Sequence, residues 1–233
     1  MIHSVVLGSS KGIGLCITNK LLDEGHIVVG VSRSKQKITN KNFLHYQLDI
    51  SDDKALNQFF DKVELVKFDN IVISAGTNDI ATLKEITIER LQKLYKLNLY
   101  PAFNLLKKIS FYNDNKPRSI VFLTSIWSNT GIKGRAMYGS SKAALVSLSK
   151  HASAEISEKS FFINCISPGF TKTELSEKSK NDPLIQKSLL RTSKNQMQNT
   201  NAVSEAIMML LIPNNHGITG QEIFVDSGFS SHA

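Results

Sequence analysis

The sequence predicts an α/β protein, a doubly wound parallel sheet of about seven strands with helices on both faces. Three observations predict it. Short apolar, β-branched runs alternate with longer helical patterns along the whole 233-residue chain, as strand–helix–strand units require. The runs are continuous rather than alternating, which suits strands buried on both faces. A glycine-rich turn, "GSSKGIG", separates the first run from the first helix, the place where such sheets receive phosphate groups.

The first strand is "HSVVL", with a helix over 12–24 that the glycine turn opens. "HIVVGV" is the second strand and runs into "VSRS". "FLHYQL" is the third, followed by "LDIS" and a helix over 52–67. "DNIVIS" is the fourth, followed by a helix over about 87–112. Within that helix Pro101 cannot donate to the carbonyl of Leu97, so a kink is expected beside Asn98, with backbone carbonyls left free for water. "SIVFLT" is the fifth strand and ends at Ser125; a helix over 137–158 carries Tyr138 and Lys142. "FFINCI" is the sixth. From Thr171 to about Thr200 the chain is polar and too long for an ordinary connection. It leaves the carboxyl end of a central strand, where ligands bind, so a substrate lid is expected there. A helix over 201–211 and the strand "EIFV" follow. No repeat or boundary interrupts the pattern, which reads as a single domain over 1–233.

Composition narrows the function classes. With 41% apolar and 21% charged residues the chain is globular in composition. The opening "IHSVVLG" reads as a strand, and "AIMMLLI" falls far short of the ~20 apolar residues of a membrane span. A cytoplasmic protein that engages no membrane is expected. Cys16 and Cys165 fall in segments that read as a buried helix and a buried strand, without companion ligands, and are expected to be inert thiols. The six histidines are scattered singly, so no metal site is expected. The net charge of +8 is dispersed among acidic residues rather than gathered in a stripe. An acidic small ligand or an acidic protein partner accounts for it better than nucleic acid.

Several residues carry candidate chemistry. Gly8, Gly12 and Gly14 allow a tight turn and a close approach of a pyrophosphate to backbone N–H groups, which points to a dinucleotide. Where an NAD-binding chain presents Asp or Glu to the ribose, Ser32 and Arg33 stand instead, with Lys11 as a second cation. That arrangement favours NADP(H), unless both cations are merely solvated. Asp49 is placed either to accept from an adenine amino group or to cap the helix starting near Ser51. Tyr138 and Lys142, four residues apart, share one helix face, so the ammonium would favour the ionised phenol. Alone, that pair is a short and common pattern.

The glycine loop, "SAG" at 74–76, Asn98, Ser125, YxxxK at 138–142, "PGFTKT" at 168–173 and "ITGQEIFVDSG" occur in one order along nearly the whole chain. This order resembles the short-chain dehydrogenase/reductase family, with its "TGxxxGxG…NAG…N…S…YxxxK…PG" pattern and single Rossmann domain. The resemblance implies a catalytic tetrad. Tyr138 would exchange a proton with the substrate oxygen as the nicotinamide delivers or receives hydride. Ser125 would stabilise that oxygen, Lys142 would lower the phenol's pKa and hold the nicotinamide ribose, and Asn98 would fix a relay water through its main chain. Cofactor contacts are implied at Gly8, Ser10, Lys11, Gly12, Ile13, Gly14, Ser32, Arg33, Asp49, Ile50, Ala75, Gly76, Tyr138, Lys142, Pro168, Gly169, Thr171 and Thr173. Leu7 and Ser74 depart from the pattern's threonine and asparagine, which bears on loop geometry rather than on reaction class.

In length, NADP(H) preference and C-terminal segment the chain is most like the 3-oxoacyl-acyl-carrier-protein reductases. That likeness implies an acyl thioester substrate and docking of an acidic carrier protein at Lys116 and Lys159, unless these are ordinary surface lysines. Alternatively, Trp127 and Met137 line a pocket for a bulkier ketone, such as a sugar or secondary-metabolite intermediate. A non-enzymatic NADP(H) sensor is a third reading, although such proteins typically lose the Tyr or the Lys that this chain keeps. Family members also pack the helices at 87–112 and 137–158 against copies of themselves. The small face formed by Ala143, Ala144, Ser147 and His151 suits that, so a homodimer or homotetramer is expected.

Overall fold

Seven parallel strands form one sheet in the order β3-β2-β1-β4-β5-β6-β7. They are β1 (His3–Leu7), β2 (Ile27–Ser32), β3 (Phe43–Gln47), β4 (Asn70–Ile73), β5 (Arg118–Leu123), β6 (Phe161–Pro168) and β7 (Glu222–Val225). The helices are α1 (Gly12–Asp23), α2 (Asp53–Lys62), α3 (Ile88–Asn98), α4 (Tyr100–Ile109), α5 (Ala136–Glu155), α6 (Glu174–Glu177), α7 (Pro183–Leu189) and α8 (Thr200–Met209). The computed structural model describes residues 1–112, 115–156, 161–177 and 180–231.

Period-two alternation within the apolar runs explains the layering. Val5 and Leu7 of β1 face a core filled by Leu56, Phe59 and Phe60 of α2, Leu105 and Ile109 of α4, and Leu145 of α5. Val6, between them, faces Ile17 and Leu21 of α1 and Val203 and Ile207 of α8. Both faces are therefore apolar, which is why the runs read as continuous. The chain winds outward from β1 through β2 to β3, then returns to β4 on the other side of β1. Loops leaving the carboxyl ends of β1 and β4 diverge there and open a crevice.

The expected kink is a full break. α3 stops at Asn98, Leu99 takes φ −123° and ψ −47°, and α4 restarts with Pro101 in its first turn, where a missing N–H costs nothing. The segment expected to be a lid carries two short helices, α6 and α7, and is tied back by a bridge between Thr171 and Gln198. Lys116 precedes β5 at the amino edge of the sheet and pairs with Asp69 at 2.8 Å. It therefore lies at the edge opposite the crevice rather than beside it, and Lys159 falls outside the described residues. Met137 is 2% exposed and packs with Ala81 and Leu94, away from the crevice. Cys165 is buried and Cys16 half-buried, both as free thiols. Among the described residues no helix is long and apolar enough to cross a membrane.

Candidate active site

A cavity of about 580 Å³ follows the carboxyl ends of the central strands. It is lined by every position at which a cofactor contact is expected, from Gly8 to Thr173, and by Ser125 and Trp127. The glycine loop forms one end. Gly8 has φ +95°, and a Cβ on it would stand 2.5 Å from Ala75 N; one on Gly14 would stand 2.0 Å from Gly8 O. Only glycine lets β1, α1 and β4 converge so closely. Ser74 completes this corner, its hydroxyl donating towards the carbonyls of Leu7 (3.4 Å) and Gly8 (3.2 Å), so the departure from asparagine keeps a polar tie to the loop.

The N-terminus of α1 is open. Side chains of Asp52, Thr87, Asp182 and Asn199 cap α2, α3, α7 and α8, but none caps α1. Its first N–H groups therefore keep their capacity for an anion, and the dipole favours one. Asp52 takes the capping role at α2. Asp49 instead accepts from the Ser51 N–H at 3.0 Å and hydroxyl at 2.8 Å. Although burial pushes its carboxyl up, those two hydrogen bonds and the nearby Arg33 bring it below the usual value overall. Ser32 is buried, donating to Ser34 O at 2.7 Å and contacting His45 Nε2 at 2.8 Å. Arg33 is exposed at the rim. Lys11 reaches across the mouth to Glu174 at 2.6 Å, joining the glycine loop to α6.

The far end of the cavity holds the hydroxyl pair. β5 delivers Ser125, whose Oγ accepts from Trp127 N at 3.3 Å, to the same stretch of cavity wall as Tyr138 at the start of α5. One turn on, the buried Lys142 donates to Leu123 O at 2.7 Å, with its Nζ 5.9 Å from the Tyr138 ring centre. Burial brings that ammonium down to about 8. The phenol differs from expectation. Burial lifts it above its ordinary value, against the pull of the Ser125 hydrogen bond and the Arg135 charge. Lys142 is not among the groups that shift it, and its ammonium donates to Leu123 O.

Asn98 stands behind the wall rather than on it. Its Oδ1 accepts from Thr77 N at 2.9 Å, and its Nδ2 donates to Thr77 O and Ser141 Oγ, both at 3.0 Å. The side chain thus clamps the β4 exit to α5, and only its main chain is left for another role. A second brace comes from β7. Ser128 Oγ lies 2.6 Å from both Ser125 O and Glu222 Oε1, while Ser167 donates to the same carboxylate at 2.5 Å.

Sequence reasoning missed Arg135, Phe170, Ile185 and Met197, which also line the cavity. Phe170 packs edge-on to Trp127 with ring centres 5.8 Å apart, and Ile185 joins them from α7. A cation three residues before Tyr138 was a visible signal; its burial was not. Among the described residues no cluster of metal-ligating side chains occurs.

The family profile described as enoyl-(acyl carrier protein) reductase matches residues 8–230. The 3-oxoacyl-[acyl-carrier-protein] reductase MabA of Mycobacterium tuberculosis is 28% identical over 228 residues, covering 96% of this chain and 91% of that protein. A solved 4-hydroxyisoleucine dehydrogenase, complexed with NADH, superimposes with a TM-score of 0.91 at 22% identity over 100% of both chains. ElxO, solved with NADP bound, gives 0.86 at 25% identity over 99% of each. The ordered motifs, the sheet order and the profile agree, and the chain belongs to the short-chain dehydrogenase/reductase family.

Proposed function

We propose that this oxidoreductase uses NADP(H) to interconvert a ketone and a secondary alcohol, with Tyr138 as the proton donor and acceptor. The observation that carries the reading is the convergence of Ser125, Tyr138 and Lys142 on one cavity wall, with the Lys142 ammonium 5.9 Å from the Tyr138 ring centre. A bound nicotinamide supplies or removes hydride. Ser125 and Tyr138 hold the substrate oxygen between two hydroxyls, and Tyr138 moves the proton at that oxygen. Lys142, one turn on, is placed to hold the nicotinamide ribose. The uncapped α1 N-terminus and the convergent glycines suit a pyrophosphate. Arg33 and Lys11 at the rim suit a ribose phosphate, which supports NADP(H) over NAD(H).

The likeness to MabA supports a 3-oxoacyl thioester on acyl carrier protein as substrate. The position of Lys116, paired with Asp69 at the sheet edge away from the cavity, supports a free ketone instead. We further propose a homodimer or homotetramer. Ala143 and Ala144 are half-exposed on α5, Ser147 and His151 are exposed, and Phe103 on α4 is 50% exposed.

The test is Tyr138→Phe, assayed by NADPH consumption on the carrier thioester and on a panel of ketones. Turnover should fall by at least ~10²-fold while NADPH affinity persists, since only the acid is removed. Equal activity of the two proteins would overturn the assignment. Silence of the native chain on every carbonyl would favour the sensor.

A further inference from the structure

Three residues before Tyr138, the cavity wall contains a cation that proton and hydride transfer do not require. Arg135 immediately precedes α5 and is 6% exposed. Its guanidinium lies close enough to act on the Tyr138 phenol. It shares the cavity wall with Trp127, and both also line an adjoining hollow running back along α5. Nη1 is fully enclosed and has no hydrogen-bond partner among the described residues.

Two other buried cations make contacts of their own. Lys142 donates to Leu123 O, and Arg118 donates to Lys116 O and lies over the Phe161 ring. The acidic side chain that acts on Arg135 is Asp182 of the lid. That carboxylate is already engaged, accepting the Leu184 N–H at 2.9 Å as the cap of α7. A guanidinium stays charged under all ordinary conditions. Enclosed without a full set of acceptors it is costly, and the cost is recovered when an anion pairs with it.

We infer that Arg135 receives a carboxylate of the substrate, so that the ketone reduced here is an oxo acid and its product a hydroxy acid. The inference rests on the carbonyl-reductase reading of Ser125 and Tyr138 given above. A guanidinium offers two parallel N–H groups at the spacing of carboxylate oxygens. One stretch of the chamber wall is apolar and aromatic, formed by Trp127, Phe170, Ile185 and Met197. That wall suits a hydrocarbon body better than the hydroxyls of a sugar. The substrate oxygen would sit at Ser125 and Tyr138, the carboxylate at Arg135 and the hydrocarbon against Trp127. A 3-oxoacyl thioester has no free carboxylate to offer.

The experiment compares kcat/KM for a series of oxo acids with that for the methyl ester of each, in the native protein, Arg135→Gln and Arg135→Lys. NADPH binding is followed in parallel as the sign that each variant is folded. The native protein should prefer acid to ester by about ten- to a hundredfold, the worth of a charge-assisted pair. The preference should fall towards unity in Arg135→Gln and be partly restored in Arg135→Lys. The ratio is the readout because losing the Arg135 charge also alters Tyr138, and that change affects acid and ester alike. Acid and ester used equally by the native protein, or a preference that survives Arg135→Gln, overturns the inference.

Trp127 is the only tryptophan in the chain and gives a second readout that needs no variant. A saturated carboxylic acid should quench its fluorescence and compete with the ketone, whereas the corresponding amide should do neither; equal effects overturn the inference. Neutral ketones turned over with no acid preference would remove the role of Arg135 and leave the reductase intact. Silence on every ketone with both NADPH and NADH would remove the reductase, and the fluorescence arm would still decide whether Arg135 binds carboxylates.

Discussion

Replacing Lys142 with methionine should stabilise the protein while abolishing its turnover. The ammonium is 3% exposed, and burial lowers it from 10.5 to about 8. The unfolded chain therefore holds this proton more tightly than the folded one, and the penalty is fully present below pH 8. It fades as pH rises towards 10.5, so stability due to this group increases with pH. At 1.36 kcal/mol per unit the penalty is about 3 kcal/mol at pH 7 and about 1 kcal/mol at pH 9.5. Methionine removes it, at the expense of the hydrogen bond to Leu123 O, worth about 1 kcal/mol. The net gain at pH 7 is about 2 kcal/mol, or about 4–8 °C in Tm for a chain of this size. At pH 9.5 the two proteins should melt within about 2 °C of each other. Thermal melts followed by circular dichroism at both pH values read this directly. A Lys142→Met protein that melts below the native one at pH 7, or a gain that does not shrink at pH 9.5, would refute the argument.

Arg33→Ala should raise KM for NADPH by about tenfold and leave KM for NADH unchanged, because one charge-assisted contact to a ribose phosphate is lost; equal effects on the two cofactors would refute the rim assignment. Asn98→Ala removes three hydrogen bonds and leaves the Thr77 N–H without its acceptor, so the urea midpoint should shift by the equivalent of about 2–4 kcal/mol. A loss under about 0.5 kcal/mol would mean that the clamp is dispensable. Phe103→Glu introduces a charge on the exposed face of α4 and should reduce the mass measured by light scattering; an unchanged oligomer would place the interface elsewhere.

What was legible in the sequence follows the physics of each element. Buried parallel strands such as "VVL" and "IVFL" must be apolar on both faces, so their continuous runs announced the sheet. The glycine turn was legible because no other residue tolerates the approach of Gly14 to Gly8. Pro101 announced a disruption, but a full break into α3 and α4 depends on how Asn98 clamps Thr77 to Ser141, a contact between distant segments. Helices α6 and α7 were illegible because four and seven residues are too few to display a periodic face. Met137 is adjacent to Tyr138, yet the ~100° step per residue of a helix points it into a different cluster. Arg135 looked like one dispersed cation among many, since burial is a property of the folded chain.

The brace from β7 makes catalysis a report on assembly. Glu222 is joined through Ser128 to the strand exit that presents Ser125, although it lies far along the chain from that residue. A chain severed between α7 and α8 would retain the glycine turn and the Tyr138–Lys142 pair on one fragment and this carboxylate on the other. Complementation of the two pieces would then be scored by recovered turnover, with β6 and β7 supplying the seam through the register Cys165–Glu222 to Pro168–Val225.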